Sequence, residues 1–369
     1  MRRDAGRRAT LRYASPMPAA PPLPPTPPDD SWTLDDGRGF RLRVAALGAA
    51  WISCQVPLPA GANGAGREVL AGFADPADCG RNRAYVGAVL GRYANRIAGG
   101  RLAGPSGEFP LACQPGRDFQ LHGGPDGFSH RVWQWQVREP DRLRLALESP
   151  PGDQGFPGRL HAEVGFALGR GPHGEPEVEV ALAAEVDAPC PVNLSHHPYF
   201  QLDGRPQDVR EQTLELAASR YLPVDARGLP CGALRDVAGT HFDFLRRRLI
   251  GGAGAGERAN GYDDPFLLDP ACADLARPAA RLWSRDGRMA MSLWTTLPAL
   301  QVYTGRSLGS GTAACATRWP DHGAIAIEPQ FLPDSPHHAE WPQPDCWLRP
   351  GQRFDHRIVY RFEAAPVRD

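Results

Sequence analysis

Glu177 to Val186 reads E-V-E-V-A-L-A-A-E-V. In its first half valine alternates with glutamate, so Val178 and Val180 share one face, the period of two that a half-buried strand requires. Working outward, Leu160 to Leu168, Leu143 to Leu147 and Val132 to Val137 carry the same period, broken by Gly, Pro and Asp. Gly39 to Val44 and Ala49 to Val56 extend the series toward the start of the chain. Leu214 to Leu216, Arg288 to Trp294, Leu300 to Tyr303 and Arg357 to Phe362 extend it toward the end. The 41 Gly and 39 Pro residues interrupt nearly every window long enough for an amphipathic helix. Strand after strand with turn signals, and no alternating helices, predicts an all-β fold, a large and mostly antiparallel sandwich or barrel. No internal repeat or linker divides the chain, so residues 32–369 are expected to form one domain. Residues 1–31 are Arg-rich and then Pro-rich, with P-P-L-P-P-T-P-P over Pro21 to Pro28, and are expected to be a disordered tail. Met17 offers an alternative start.

Composition narrows the chemistry. A formal net charge of -1 gives no electrostatic footprint for nucleic acid or an acidic membrane. All basic side chains are Arg; the absence of Lys excludes a Lys Schiff base, a pyridoxal-phosphate enzyme and a Lys-dependent phosphate loop. The eight cysteines form no C-x-x-C pair and no zinc spacing, which fits reduced thiols in a cytoplasmic protein. No run approaches the roughly 18 apolar residues of a membrane span.

Polar residues interrupt the strand pattern at a few places. Ala324 to His338 reads A-I-A-I-E-P-Q-F-L-P-D-S-P-H-H. Ala324 to Ile327 reads as a buried strand, and Pro329, Pro333 and Pro336 are expected to stop it at Glu328. Glu328 is then either a strand-end carboxylate in water or a base held with a raised pKa. Gly91 to Ile97, G-R-Y-A-N-R-I, offers Asn95 and Arg96. Leu121 to Phe128, L-H-G-G-P-D-G-F, places His122 before glycines that allow close backbone approach. In Asn193 to Phe200, N-L-S-H-H-P-Y-F, His196 and His197 point to opposite faces if extended, and Tyr199 and Phe200 supply an aromatic wall. In Gly261 to Phe266, G-Y-D-D-P-F, Asp263 and Asp264 suit either a turn or a site. One Glu, two or three His, an Asp, an Arg-Asn pair and aromatics suit a concave site for a neutral polyhydroxylated ligand. A Glu and a His suffice for paired proton transfer without a covalent nucleophile or cofactor.

From about Trp32 onward the chain resembles the aldose 1-epimerase (mutarotase) family. The segments above occur in the family's order, together with D-Q-G-F-P-G from Asp153, Y-L-P-V-D from Tyr221, G-T-H-F-D-F from Gly239 and L-Q-V-Y-T-G from Leu300. The resemblance implies a galactose mutarotase-like supersandwich, an isomerase with no cofactor and no metal. It implies Glu328 as general base and His197 as general acid. His122, Asp263, Gln301, Asn95, Arg96 and Tyr199 would contact the sugar. His196 and Asp264 stand where many members have Asn and His, which bears on sugar preference. The expected partner is a free aldose such as galactose or glucose, acted on by a monomer or weak homodimer, with no nucleic acid or membrane. For His197 to act as an acid, its pKa is expected to stay near 6.5 with help from Asp263. Three competing readings remain. One is a sugar-binding module without turnover; another is an epimerase of phosphorylated hexoses using Arg81, Arg83, Arg92 and Arg96. The third is a metal hydrolase built from His122, His197, Asp263 and Glu328, which no ligand spacing supports.

Overall fold

The computed structural model describes residues 27, 30–59, 66–104, 107–252 and 261–365. The expected tail over residues 1–31 lies outside the described residues apart from Pro27, Asp30 and Ser31. Asp30 is already fastened to the body, its carboxylate accepting from Trp135 Nε1 at 2.8 Å.

The patterned segments become strands. Pro176–Val186 lies near the centre of a nine-stranded antiparallel sheet, between Leu160–Arg170 and Phe354–Ala364. Val178, Val180, Leu182 and Ala184 are buried on its inner face, while Glu177 on the outer face is paired with Arg361. The remaining strands of this sheet run outward from Arg142–Ser149 to Gln134–Arg138 on one side. On the other they pass through Met289–Thr295, Ala280–Trp283 and Thr213–Leu216 to Arg248–Leu249. A four-stranded sheet of Ser31–Asp35, Arg41–Ala45, Ala50–Val56 and Arg67–Glu68 flanks it. Among the described residues the one α-helix is the short Leu308–Gly311.

A six-stranded sheet carries the polar segments. Its order is Tyr199–Phe200, Ile325–Gln330, Ala299–Tyr303, Asp263–Leu267, Arg220–Tyr221 and Arg235–Asp236. Phe200, Phe266, Leu300, Ile325 and Ile327 share one apolar core with Val180, Leu293, Ile358, Tyr360 and Phe362 of the larger sheet. Phe200 packs on Tyr360 with ring centroids 5.3 Å apart, so the two sheets meet face to face as a sandwich.

The strand around Glu328 differs from the expected one. It runs Ile325–Gln330, straight through Pro329, and lies inside the sheet. In a strand, a residue's N and C=O point to the same side. The Pro329 carbonyl accepts from Ser195 Oγ at 2.7 Å, on the side where the short strand Tyr199–Phe200 pairs only with Ala326 and Ile325. The missing N–H of Pro329 therefore faces no ladder partner, and the strand tolerates it. Asp263 and Asp264 likewise begin a strand, Asp263–Leu267, rather than a turn.

Candidate active site

Register builds the site. Gln301 lies opposite Glu328 on one side and Pro265 on the other, while Tyr303 lies opposite Asp263 and Ala326. Ala326 in turn faces Tyr199. Side chains two apart share a face, so Asp263, Gln301, Tyr303, Glu328 and Tyr199 all project from the side of the sheet opposite Ile325 and Ile327. Ala326, on the same face, is buried in a small apolar cluster with Tyr199.

Two loops close over it. Asn193 to Tyr199 is zipped to the segment around Gly87: His197 N–H donates to Ala88 O, and Gly87 N–H to His197 O, each at 2.9 Å. Gly87 has φ +71, and a Cβ there would lie 2.0 Å from Trp51 O, so only glycine allows this approach. As the alternation predicts, the two histidines part. His196 turns inward, 4.4 Å from the Trp51 ring, with Nε2 donating to Gly87 O; burial pushes its pKa down to about 3. His197 turns to the cleft, with its Nε2 3.3 Å from Glu328 Oε1 and its ring 4.9 Å from that of Tyr199.

The second loop brings His122. Its N–H donates to Asn95 O at 2.9 Å, and its Nδ1 accepts from Asn95 N–H at 3.1 Å. Accepting at Nδ1 fixes the neutral tautomer, so Nε2 carries the proton and is a hydrogen-bond donor. Burial, the neighbouring His197 and nearby Arg charges hold its pKa well below 6.5. Gly123, at φ +83, lets the loop lie against Gly91, where a Cβ would come within 1.8 Å of the Gly91 oxygen.

The other polar residues form a closed ring of side chains. Asn95 Nδ2 donates to Gln301 Oε1 at 3.0 Å, and Gln301 Nε2 to Asp263 Oδ1 at 2.7 Å. Arg96 donates through Nη2 to Asp263 Oδ2 at 3.3 Å and through Nη1 to Asn95 Oδ1 at 3.1 Å. The acceptor-only carboxylate and donor-only guanidinium fix which way each amide points. Such a rigid, mixed set of donors and acceptors matches vicinal hydroxyls.

Electrostatics set Glu328 and His197 apart. Glu328 is 2% exposed and His197 3%. Burial, with Asp263 adding to it, raises the Glu328 carboxyl well above its ordinary range, and Arg96 opposes the shift. Burial pushes His197 down to about 4, against the pull of its own backbone and of Asp263. The expectation that Asp263 keeps His197 near 6.5 is thus not met; loss of hydration outweighs one carboxylate beside the ring. Both shifts run toward the neutral forms, a protonated Glu328 and an unprotonated His197. Glu328 Oε2 and His197 Nδ1 are buried and meet no hydrogen-bond partner among the described residues.

All the expected site residues therefore meet in one cleft. Tyr85, absent from the sequence reading, joins them: its ring lies 4.6 Å from His122 and 6.3 Å from His197, on a left-handed backbone with φ 59. A tyrosine in an unpatterned loop reads as packing, and no local signal marks it. The Arg cluster proposed for phosphate does not form. Arg92 is buried, donating to Ser149 Oγ and to the carbonyls of Ser149, Pro150 and Pro157, and Arg81 is held by Asp78. A metal centre is also ill served. His122, His197 and Glu328 bring ligand atoms within 4.8 Å of one another. Yet the Nδ1 lone pair of His122 is taken by Asn95 and its Nε2 carries a proton, which leaves two ligands where three are needed.

A buried carboxyl and imidazole thus lie in contact beside a ring of mutually bonded polar side chains on a β-sandwich. The aldose 1-epimerase family profile matches residues 30–361. The chain is 40% identical over 336 residues to an aldose 1-epimerase of Escherichia coli K12, covering 90% of this chain and 94% of the relative. It is 32% identical over 311 residues to a galactose mutarotase of Rattus norvegicus, covering 82% and 86%. The crystal structure of an aldose epimerase homologue from C. elegans superposes with a TM-score of 0.80 at 25% identity, covering 91% of this chain and 99% of that one. The chain belongs to the aldose 1-epimerase family and is an isomerase with mutarotase function. Its fold is the galactose mutarotase-like β-sandwich. No helix among the described residues is long and apolar enough to cross a membrane.

Proposed function

We propose that the chain interconverts the α and β anomers of free hexoses such as galactose and glucose, with Glu328 as general base and His197 as general acid. The observation that carries this assignment is the buried contact of His197 Nε2 with Glu328 Oε1 at 3.3 Å, beside the Asn95–Gln301–Asp263–Arg96 ring. Opening the ring requires Glu328 to take the proton of the anomeric hydroxyl while His197 gives one to the ring oxygen. The bond beside the free carbonyl then rotates, and closure from the other face needs the opposite pair, protonated Glu328 and neutral His197. Those two forms differ by one proton moved within the pair, and the second is the one toward which burial shifts both groups. Sugar hydroxyls filling the cleft stand in for the lost water and bring the ionic form back within reach. His122 Nε2–H, fixed as a donor, supports the ring oxygen or a neighbouring hydroxyl without moving a proton. Tyr199 and Tyr85 cover the apolar face of the sugar. All eight cysteines are free, which supports a reducing, cytoplasmic setting.

The test is polarimetry of freshly dissolved α-D-galactose, α-D-glucose and glucose 6-phosphate with purified protein, with and without EDTA. Mutarotation of the two free hexoses should accelerate, equally with EDTA present, and the phosphate should be a poor substrate. Acceleration of the phosphate alone would reject the free-hexose reading, and loss of activity in EDTA would reject metal-free acid/base chemistry.

A further inference from the structure

A few residues past Glu328 the chain turns sharply at Asp334, whose backbone is left-handed at φ 61. Asp334 is 5% exposed, and its partners are the strand that carries Arg96 and the turn just after it. Its N–H donates to Arg96 O at 2.7 Å, and its Oδ1 accepts from Ala98 N–H at 2.9 Å. It thus brackets Arg96 and Ile97 from one side, while the short pairing with Leu121 and Gln120 holds them from the other. The carboxylate is itself held by two histidines: His337 Nδ1 lies 2.7 Å from Oδ1, and His338 Nε2 3.5 Å from Oδ2. His338 is fixed in turn by stacking on Trp341, with ring centroids 4.1 Å apart, and by Glu340 at 2.8 Å.

We infer that Asp334 is a positioning residue for substrate binding: it ties the turn after the Glu328 strand to the Asn95–Arg96 backbone, so the base and the hydroxyl-binding ring keep one fixed spacing. Besides Ala98 N–H, the carboxylate meets His337 and His338, which follow it on the same turn. The left-handed turn alone would be served by glycine or asparagine, and Asp334 makes no contact within the Glu328–His197 pair. Arg96 needs such a clamp because its side chain reaches two partners at once, Asn95 and Asp263, and a shift of its backbone would break both contacts. The loss should therefore fall on sugar binding rather than on proton transfer.

This inference rests on the reading of Arg96 as a sugar contact, and the test separates the two. Galactose mutarotation kinetics are measured for Asp334→Gly, Asp334→Asn, Arg96→Ala and the Asp334→Gly/Arg96→Ala double variant, with thermal melting to confirm folding. Glycine accepts the left-handed backbone, so Asp334→Gly removes the carboxylate without adding strain. It should raise KM about tenfold, the size of one charge-assisted hydrogen bond, with kcat within about threefold. Asparagine keeps the acceptor for Ala98 N–H and should restore KM to within about twofold of wild type. In the Arg96→Ala background Asp334→Gly should add nothing to KM, because the residue it positions is gone. A normal KM in Asp334→Gly, a fall in kcat alone, or an equal further rise in the double variant would overturn the positioning role. An unchanged KM in Arg96→Ala would instead overturn the reading of Arg96 itself.

Discussion

Glu328→Gln is expected to lower kcat for galactose mutarotation by on the order of 10²–10⁴-fold while KM changes less than about threefold. The split follows from geometry. Gln301, Asn95, Asp263 and Arg96 hold one another in a ring that closes without Glu328, so the hydroxyl-binding surface survives the substitution. What disappears is the carboxyl that touches His197 and that we propose takes the anomeric proton. Glutamine has nearly the shape of a protonated glutamic acid, and burial already favours that neutral form at Glu328. The sign for stability follows. A carboxyl whose pKa is raised on folding contributes stability below its unfolded value, near 4.5, and loses it as pH rises toward the folded value. Glu328→Gln escapes that loss, so its melting temperature near pH 7 should equal or exceed that of wild type. Low activity accompanied by a lower melting temperature would point to a structural role for the carboxyl instead.

The second large effect is at His197. His197→Asn should also cost on the order of 10²–10⁴-fold in kcat, and it should change the pH profile in a defined way. In the proposed mechanism the Glu328–His197 pair holds one proton. Below about 4 His197 gains a proton while Glu328 is already protonated, and no base remains. Above the raised Glu328 value both groups are bare, and no acid remains. Wild-type activity should therefore follow a bell with its acid limb near 4, lower than an ordinary imidazole would place it. In His197→Asn only Glu328 titrates within the pair, and the residual rate should rise with pH through the Glu328 value and then level off. An acid limb near 6.5 in wild type would mean that a different, hydrated histidine supplies the proton. His196 is excluded from that role by its position, turned into the core against Trp51 and Phe166.

How much of this was legible in the sequence depends on the range of the interaction. The strands of the larger sheet announced themselves because one face is buried and the other wet, as in Val178 and Val180 against Glu177 and Glu179. The parting of His196 and His197 was legible for the same reason: a period of two is a local property. Pro329 misled because whether proline ends a strand depends on the neighbour its N–H would meet, and the end of the Tyr199–Phe200 strand is a tertiary fact. Asp263 and Asp264 misled in the same way; beside Pro265 they look like a turn until Ala299–Tyr303 pairs with them. The Asn95–Gln301–Asp263–Arg96 ring was present as residue types but not as a ring. Asn95 bonds to Gln301 across 206 positions of chain, and Arg96 to Asp263 across 167. The downward shift of His197 was illegible too, because it comes from burial beneath loops whose closure no sequence pattern encodes.

The account rests on Glu328 and His197 acting as one unit that exchanges protons with the two oxygens of the anomeric carbon. The most direct test is the galactose mutarotation rate, by polarimetry at pH 7, for Glu328→Gln, His197→Asn and the double variant. If each proton transfer needs the other, the double variant will be no more than about threefold slower than the slower single one. Losses that multiply, so that the double variant is slowed by the product of the two single effects, would show two independent groups and contradict the paired mechanism.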